Sequence, residues 1–271
     1  MKRAAILLCV LTGSWALVGQ EASHKYTRAE MEKYLQEAKI VSIRDLNVGV
    51  TNSRKAKLSD GTLNHDAHVQ TVDIFKSSFA TSRGNELNFK DTYKFNIAAY
   101  RLDKIMDLGM IPPSVERKVE GKNSAITWWV DDTAMTEEER VKQNLQPPNP
   151  AAWNQQMYVV RVFDQLIFNT DRNLGNLVID KKWDAWMIDH TRAFRMTEKL
   201  PTLSSIPQCD RKLLAGMRKL DEATLNEELK PFVNKGEIKA LLTRRDMIVK
   251  YFDEQVAAKG EKAVLYDLPP R

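Results

Sequence analysis

The stretch FDQLIFNTDRNLGNLVIDKKWDAWMIDHTRAF, residues 163–194, decides the fold. Its polar segment, Asp171–Asn176, separates an apolar segment from a pattern typical of a hairpin, two short apolar strands joined by a polar turn. Asp189 ends the second of these strands. Because the two strands of a hairpin lie side by side, we expect Asp189 to return beside Asn176.

The side chains at these positions suit one kind of chemistry. The amide oxygen of Asn176 and the carboxylate of Asp189 are hard oxygen ligands of the kind that Mg²⁺ accepts. Asp171 is then free to take a proton from an incoming hydroxyl group. One base and two groups that hold a metal on nucleotide phosphates are what phosphoryl transfer needs. The alternative is a polar turn that any hydrophilic chain would make between two apolar segments.

The sequence around this stretch changes character at about residue 149. Asn149 and Pro150 predict the start of a long apolar helix that runs to Phe168. Apolar residues at helical spacing predict further helices from about residue 210 to residue 259. The C-terminal part is therefore expected to be mainly helical.

The N-terminal part combines strand patterns with two helices. Thr27 and Glu30 predict a capping box for a helix over residues 28–38. β-branched residues and turn signals then predict a small antiparallel sheet. Asp91 is predicted to cap a second helix, and Gly109 to close it. A hairpin with the turn EGKN follows, and after it a loop-like segment that begins at Asp131-Asp132 and includes NLQPPNP.

These elements predict an α+β protein with two lobes and a ligand cleft between them. The small lobe is expected to be rich in β-strands and to contain one helix, and the larger lobe is expected to be mainly helical. The expected boundaries are a leader over residues 1–19, an N-lobe over 25–127, a hinge and linker over 128–149, and a C-lobe over 150–262.

Two motifs in the opening stretch resemble those of the protein-kinase-like superfamily. DRNLGN and MIDHTRAF are similar to the catalytic loop and the metal-binding motif of its atypical branch, which includes phosphatidylinositol kinases, HipA-type kinases and secretory-pathway kinases. The resemblance covers about residues 40–255. It implies a bilobal protein-kinase-like fold with Asp171 as the catalytic base, Asn176 and Asp189 as metal ligands, and ATP with Mg²⁺ or Mn²⁺ as cofactors. Trp129, in ITWWVDD, falls where the hinge that meets adenine would lie.

The small lobe departs from that family pattern in three places. Relatives have a glutamate that pairs with a lysine where this chain has Asn96, and Gln70 is near the expected position of the lysine. Lys55 or Lys57 on the preceding strand is the candidate replacement. The phosphate-covering loop contains a single glycine, Gly49, followed by small polar residues, of which Thr51 and Ser53 are candidate phosphate contacts.

We therefore expect an atypical ATP- and Mg-dependent kinase that phosphorylates a hydroxyl group on a protein, a sugar or a lipid headgroup. A catalytically inactive, pseudokinase-type binding module and a nucleotidyl transferase on the same fold are the alternatives. The net charge of +5 is too small to favour nucleic acid as a partner, and we expect a monomer.

The first residues predict where the protein is sent. Lys2 and Arg3 precede an apolar run from Ala4 to about Val18, the pattern of a signal peptide. We expect secretion or a periplasmic or lumenal location, with an N-terminal membrane anchor as the alternative. Cys209 is the single cysteine beyond this leader, so the fold must rest on its core and not on an internal disulfide.

Overall fold

An antiparallel sheet of five strands forms the N-terminal region of the computed structural model, which describes residues 25–46, 53–81, 84–169, 171–200 and 203–269. The order of the strands in the sheet is β1-β2-β3-β7-β6. The strands are β1 (Lys39–Asp45), β2 (Arg54–Ser59), β3 (Asn64–Gln70), β6 (Ser114–Val119) and β7 (Lys122–Trp128). Side chains alternate between the two faces of each strand, so Ala56 and Leu58 of β2 are buried on one face while Lys55 and Lys57 lie on the other.

The first helix, α1 (Arg28–Glu37), covers the buried face of this sheet. The predicted capping box is present, since Thr27 accepts a hydrogen bond from the Glu30 amide and Glu30 accepts one from the Thr27 amide. Tyr34 donates to the carbonyl of Leu58 at 2.8 Å and anchors the helix to the sheet. A small apolar core therefore lies between α1 and the sheet.

A separate hairpin, β4 (Asp73–Thr81) and β5 (Gly84–Thr92), stands between the sheet and the second helix, α2 (Lys94–Met106). The prediction that Asp91 caps α2 is wrong, because Asp91 belongs to β5 and the capping position is Tyr93, which makes no side-chain cap. The prediction that Gly109 closes the helix is also wrong. Asp107 ends it in the left-handed conformation, with φ of 52°.

The hairpin of β6 and β7 forms as predicted, with Glu120 and Gly121 at its turn. The next segment is more ordered than the loop that the sequence suggested. It contains a strand, β8 (Thr133–Thr136), and a short helix, α3 (Glu137–Lys142). A second capping box, formed by Thr136 and Glu139, begins this helix, so the loop-like interpretation is corrected for residues 133–142.

The C-terminal region is mainly helical, as expected. α4 (Pro150–Ile167) begins at Asn149, whose side chain accepts a hydrogen bond from the Ala152 amide. The predicted hairpin follows and joins β8 in a sheet of order β10-β9-β8. The remaining elements are β9 (Leu177–Asp180), β10 (Ala185–Met187), β11 (Cys209–Asp210), α5 (Arg211–Lys219), α6 (Glu222–Leu229), α7 (Lys235–Lys259), α8 (Glu261–Val264) and β12 (Leu265–Tyr266).

The larger apolar core connects α2 to the C-terminal region. It contains side chains of α2, α4, the β9–β10 hairpin and the later helices, so α2 is fixed against the part of the chain that carries the polar segment. Within the described ranges, no helix is both long and apolar enough to cross a membrane. The predicted leader, residues 1–19, lies outside those ranges.

Candidate functional site

The polar segment begins where α4 ends. Phe168 takes the left-handed conformation, with φ of 49°, and turns the chain out of the helix. The side chain of Asn169 then donates to Asp164 of α4 at 3.0 Å and accepts a hydrogen bond from the Asp171 amide at 3.1 Å. The backbone of Asp171 is therefore held in place by the helix before it.

Arg172 fastens this loop to the hairpin that follows. Its guanidinium makes a two-bonded ion pair with Asp164, at 2.9 and 3.1 Å, with both side chains largely buried. The same group donates to the carbonyls of Asn176 and Ile188, at 2.8 and 2.7 Å, and contacts Nε2 of His190 at 2.9 Å. One guanidinium thus joins the helix, the loop and the end of the hairpin.

The hairpin brings Asp189 back to the loop, as its strand pattern predicted. Leu177 pairs with Met187, and the Ile188 amide donates to the Asn176 carbonyl at 3.1 Å. The side chain of Asn176 donates to the carbonyl of Asp171 at 3.3 Å. Asp171, Asn176 and Asp189 consequently lie at one edge of this small sheet.

The carboxylate of Asp189 lies in a confined position. Its φ of 53° is left-handed, and its Oδ1 accepts a hydrogen bond from the Thr191 hydroxyl at 3.1 Å. Burial raises the pKa of Asp189, the hydrogen bonds from Thr191 lower it, and the nearby charge of Asp171 raises it further. A cation bound beside this carboxylate would stabilise its ionised form.

The carboxylate of Asp171 is open to solvent by comparison. Its side chain is 48% exposed, and its Oδ2 lies 3.7 Å from a guanidinium nitrogen of Arg192. A half-exposed carboxylate in this position is open to a bound molecule and can accept a proton from it.

Asn96 of α2 has a structural task that the sequence did not reveal. Its side-chain oxygen accepts a hydrogen bond from the backbone amide of His190 at 2.6 Å, and both residues are buried. Burial, and then the charge of Arg172, holds the pKa of His190 well below its ordinary value, so the imidazole is neutral and its Nε2 accepts from Arg172. Asn96 therefore docks α2 on the residue next to Asp189.

Three of the candidate nucleotide contacts, Lys55, Lys57 and Trp129, line a cavity of about 740 Å³ beside β2 and β3 of the five-stranded sheet. The ammonium group of Lys55 lies 3.8 Å from the centre of the Trp129 ring and 2.8 Å from a carboxylate oxygen of Asp66, whereas Lys57 is exposed. A cation and an aromatic ring therefore face this cavity together.

Other candidate residues do not join this group. β3 contains no lysine, and the side-chain oxygen of Gln70 accepts hydrogen bonds from the amides of Thr71 and Val72. The Ser53 carbonyl accepts from the Leu46 amide at 2.8 Å, which fixes Ser53 at the start of β2. Gly49 and Thr51 lie outside the described residues.

A second cavity, of about 580 Å³, lies close to the residues around Asp171. The β4–β5 hairpin and residues 192–197 form its walls, with Arg192, Arg195, Glu86 and Lys90 among its lining. Arg192 belongs both to this lining and to the surroundings of Asp171, so the two features adjoin each other. The sequence pattern did not predict this hairpin, because exposed and buried residues alternate only weakly along it.

Comparison with known proteins identifies the fold. No protein-family model and no curated protein sequence matches the chain. Among solved structures, hydra Fam20 with sugar has a TM-score of 0.64 at 13% identity, covering 89% of this chain and 92% of that one. The Golgi casein kinase gives 0.62 at 13% identity, and its Mn/ADP-bound form gives 0.60, each covering 91% of this chain and 81% of the other. The predicted resemblance is confirmed at the level of the fold, which is the atypical protein-kinase-like fold with its N-terminal antiparallel sheet and helical C-terminal region.

Proposed function

We propose that this chain is an atypical ATP-dependent kinase that uses Mg²⁺ or Mn²⁺ to transfer a phosphoryl group to a hydroxyl acceptor. The observation that carries the proposal is the convergence of Asp171, Asn176 and Asp189 at one sheet edge through Arg172, in a chain with a kinase-like fold. This combination supplies a base and two oxygen ligands in a single rigid unit.

In this proposal Asp171 acts as the base. Its half-exposed carboxylate takes the proton of the acceptor hydroxyl as that oxygen attacks the γ-phosphate. Arg192, which lies between Asp171 and the cavity of about 580 Å³, orients the carboxylate from the acceptor side. This cavity is the proposed acceptor site, and a protein, sugar or lipid-headgroup hydroxyl all remain candidate acceptors.

The residues present fit a divalent cation. Asp189 and Asn176 offer oxygen donors, and burial of Asp189 favours a positive charge beside it. No three His, Cys, Asp or Glu side chains in the described parts of the chain form a metal cluster, so the ion would rely on the nucleotide phosphates and water as well. When bound, such a cation neutralises charge on the transferring phosphate.

The nucleotide is proposed to enter the cavity beside β2 and β3 of the five-stranded sheet. Trp129 offers a flat ring beside the adenine, and Lys55 or Lys57 offers the cation that β3 lacks. The ammonium group of Lys55 is more restricted than that of Lys57, because Asp66 and the Trp129 ring orient it. Ser53, with Gly49 and Thr51, is proposed to contact the phosphates.

The metal dependence of nucleotide binding tests this proposal. Residues 20–271 should bind ATP only with Mg²⁺ or Mn²⁺, and Asp189→Ala should remove that dependence. Asp73→Ala, a change to an exposed carboxylate on the β4–β5 hairpin, should leave it intact. Unchanged metal-dependent binding in the Asp189 variant, measured by calorimetry, contradicts the assignment.

One observation favours a second candidate, a binding module without catalysis. Asn96 is engaged with the His190 backbone and β3 has no lysine, so the usual Lys–Glu pair is absent in that form. ATP labelled at the γ or the α position separates the alternatives. A kinase transfers the γ label, a nucleotidyl transferase transfers the α label, and a binding module transfers neither.

Localisation is part of the proposal. We propose that the apolar leader over residues 1–19 directs the protein to a secretory or periplasmic compartment. A fusion of residues 1–24 to a reporter enzyme, tested for export and for removal of the leader, decides between export and membrane anchoring.

A further inference from the structure

A buried carboxylate outside the predicted site faces Asp189. Asp91 lies near the end of β5 and is 9% exposed. Its Oδ1 is closed to water and has no hydrogen-bond partner among the residues that the structure describes. A buried charge without a hydrogen-bond partner is unfavourable, so this oxygen calls for a positive charge beside it.

The backbone holds Asp91 close to the metal-binding end of the hairpin. The amide of Thr92 donates to the carbonyl of Thr191 at 2.9 Å, which ties the end of β5 to the segment after Asp189. The hydroxyl of Thr191 donates to Asp189 at 3.1 Å. Burial raises the pKa of Asp91, and the nearby charges of Asp189 and Asp171 raise it further. Asp91 therefore lies close enough to Asp189 for the two carboxylates to act on each other.

Two arginines and a divalent cation are the candidate partners of this oxygen. The guanidinium of Arg192 is close enough to lower the pKa of Asp91, but it also pairs with Asp171 and Glu86, at 3.7 and 3.8 Å. The charge of Arg195 also acts on Asp91, but the Arg195 guanidinium pairs with Glu86 at 2.7 Å. A divalent cation such as Mg²⁺ binds carboxylate oxygens directly, at about 2.1 Å. A cation between them would pair with Asp91 and Asp189 together, whereas Arg192 and Arg195 each also pair with Glu86.

The role of Asn96 supports the cation as the partner of Asp91. Asn96 of α2 carries no carboxylate, and its side-chain oxygen accepts a hydrogen bond from the His190 amide. Asp91, five residues earlier, brings a carboxylate from the N-terminal region to the same segment.

We propose that Asp91 is a third protein ligand of the divalent cation, beside Asp189 and Asn176. The inference rests on the proposed function and extends its metal site across the N- and C-terminal regions. Two carboxylates and one amide then share the ion, so the bound metal links the end of β5 to residues 189–191.

Mn²⁺ binding in the presence of ADP, followed by the electron paramagnetic resonance of free Mn²⁺, tests the inference without relying on turnover. Asp91→Asn should weaken Mn²⁺ binding at least tenfold, and Asp73→Asn on the same hairpin should match the wild type. Equal affinity in the Asp91 variant and the wild type overturns the inference while leaving the proposed function standing. A wild-type protein that binds no Mn²⁺ with ADP overturns both.

A measurement on the unsubstituted protein guards against misfolding of the variant. Fe²⁺ with ascorbate and peroxide cleaves a backbone close to where the metal binds. Cleavage near both Asp91 and Asp189, suppressed by excess Mg²⁺, supports the inference. Cleavage near Asp189 alone overturns it, because Asp91 would then serve only to pair with the arginines of its surroundings.

Discussion

Neighbouring residues in the polar segment have separate tasks. Asp171 is half exposed and makes its side-chain ion pair at the long distance of 3.7 Å, whereas Arg172 is largely buried and bonded to several groups. The proposed base and the structural ion pair therefore lie at adjacent positions. Substitution of Asp171 should change the rate of catalysis, and substitution of Arg172 should change the stability of the fold.

Asp171→Asn is expected to lower the rate constant of the proposed phosphoryl transfer by about 10²–10⁴-fold, since it removes the proposed base. The affinity for nucleotide and metal should stay within about twofold, because the amide keeps the shape of the carboxylate. Steady-state kinetics that separate kcat from KM check this expectation. A loss smaller than tenfold would mean that another group takes the proton.

Arg172→Met is expected to lower the free energy of unfolding by about 3–5 kcal/mol, because it leaves the largely buried Asp164 without its cation. Arg161→Met, a change on the exposed side of α4, the helix that carries Asp164, should change the free energy of unfolding by less than about 0.5 kcal/mol. Urea unfolding followed by circular dichroism measures both. Similar values for the two variants would show that Arg172 is not the joint between loop and hairpin.

At the scale of elements, the contact between α2 and residues 189–191 positions the candidate site. Asn96 fixes it through a single buried hydrogen bond at 2.6 Å, and the Thr92–Thr191 bond fixes it from β5. Both bonds end on backbone groups, so the position of the segment does not depend on which side chains it carries.

Asn96→Leu is expected to destabilise the protein by about 1–3 kcal/mol, since the His190 amide remains buried without an acceptor. Asn96→Asp keeps an acceptor oxygen and should retain slow hydrogen exchange at the His190 amide. Exchange measured by mass spectrometry compares the two variants. Fast exchange in both would show that the amide is protected by something other than this oxygen.

Elements with strong local signals were predictable from the sequence. The caps of α1 and α4 and the two short hairpins follow from Thr27, Asn149 and the polar turns. α3 was missed although its capping box was readable at Thr136 and Glu139, because the flanking prolines favoured a loop. The β4–β5 hairpin was missed because Phe75 and Leu87 face solvent, which hides the alternation.

The same division applies to the candidate site. The pairing of Asn176 with the strand that leads to Asp189 follows from local hairpin geometry, so the sequence contained it. Asp91 depends on a contact between residues 92 and 191, which no local pattern encodes. Its carboxylate was instead interpreted as a helix cap, a reading that local spacing alone favours.

At the scale of the whole molecule, buried titratable groups make stability depend on pH in opposite directions. Burial lowers the pKa of His68 to about 4, below its unfolded value, so its stabilising contribution is full above pH 6.5 and is lost as the pH falls. Burial raises the pKa of Asp91, Asp103 and Asp189, so the folded state binds their protons more tightly and gains stability as the pH falls.

His68→Gln isolates one of these contributions. Between pH 7.5 and pH 5.5 the wild type should lose about 1.4 kcal/mol relative to the variant, because only the unfolded wild type gains a proton on this side chain. Unfolding by urea at both pH values measures the difference between the two proteins. Parallel pH profiles would show that folding does not change the pKa of His68.

Arg172, Asp164, Asn96 and His190 make a frame that includes none of the groups proposed to move a proton or hold a cation. Mutation can therefore change the chemistry without removing the architecture. Under the proposed function, a single codon change at Asp171 would greatly slow phosphoryl transfer and leave the fold intact as a binding surface. Descendants of such a gene could lose catalysis by drift and remain well folded, which makes active and silent copies hard to tell apart by shape.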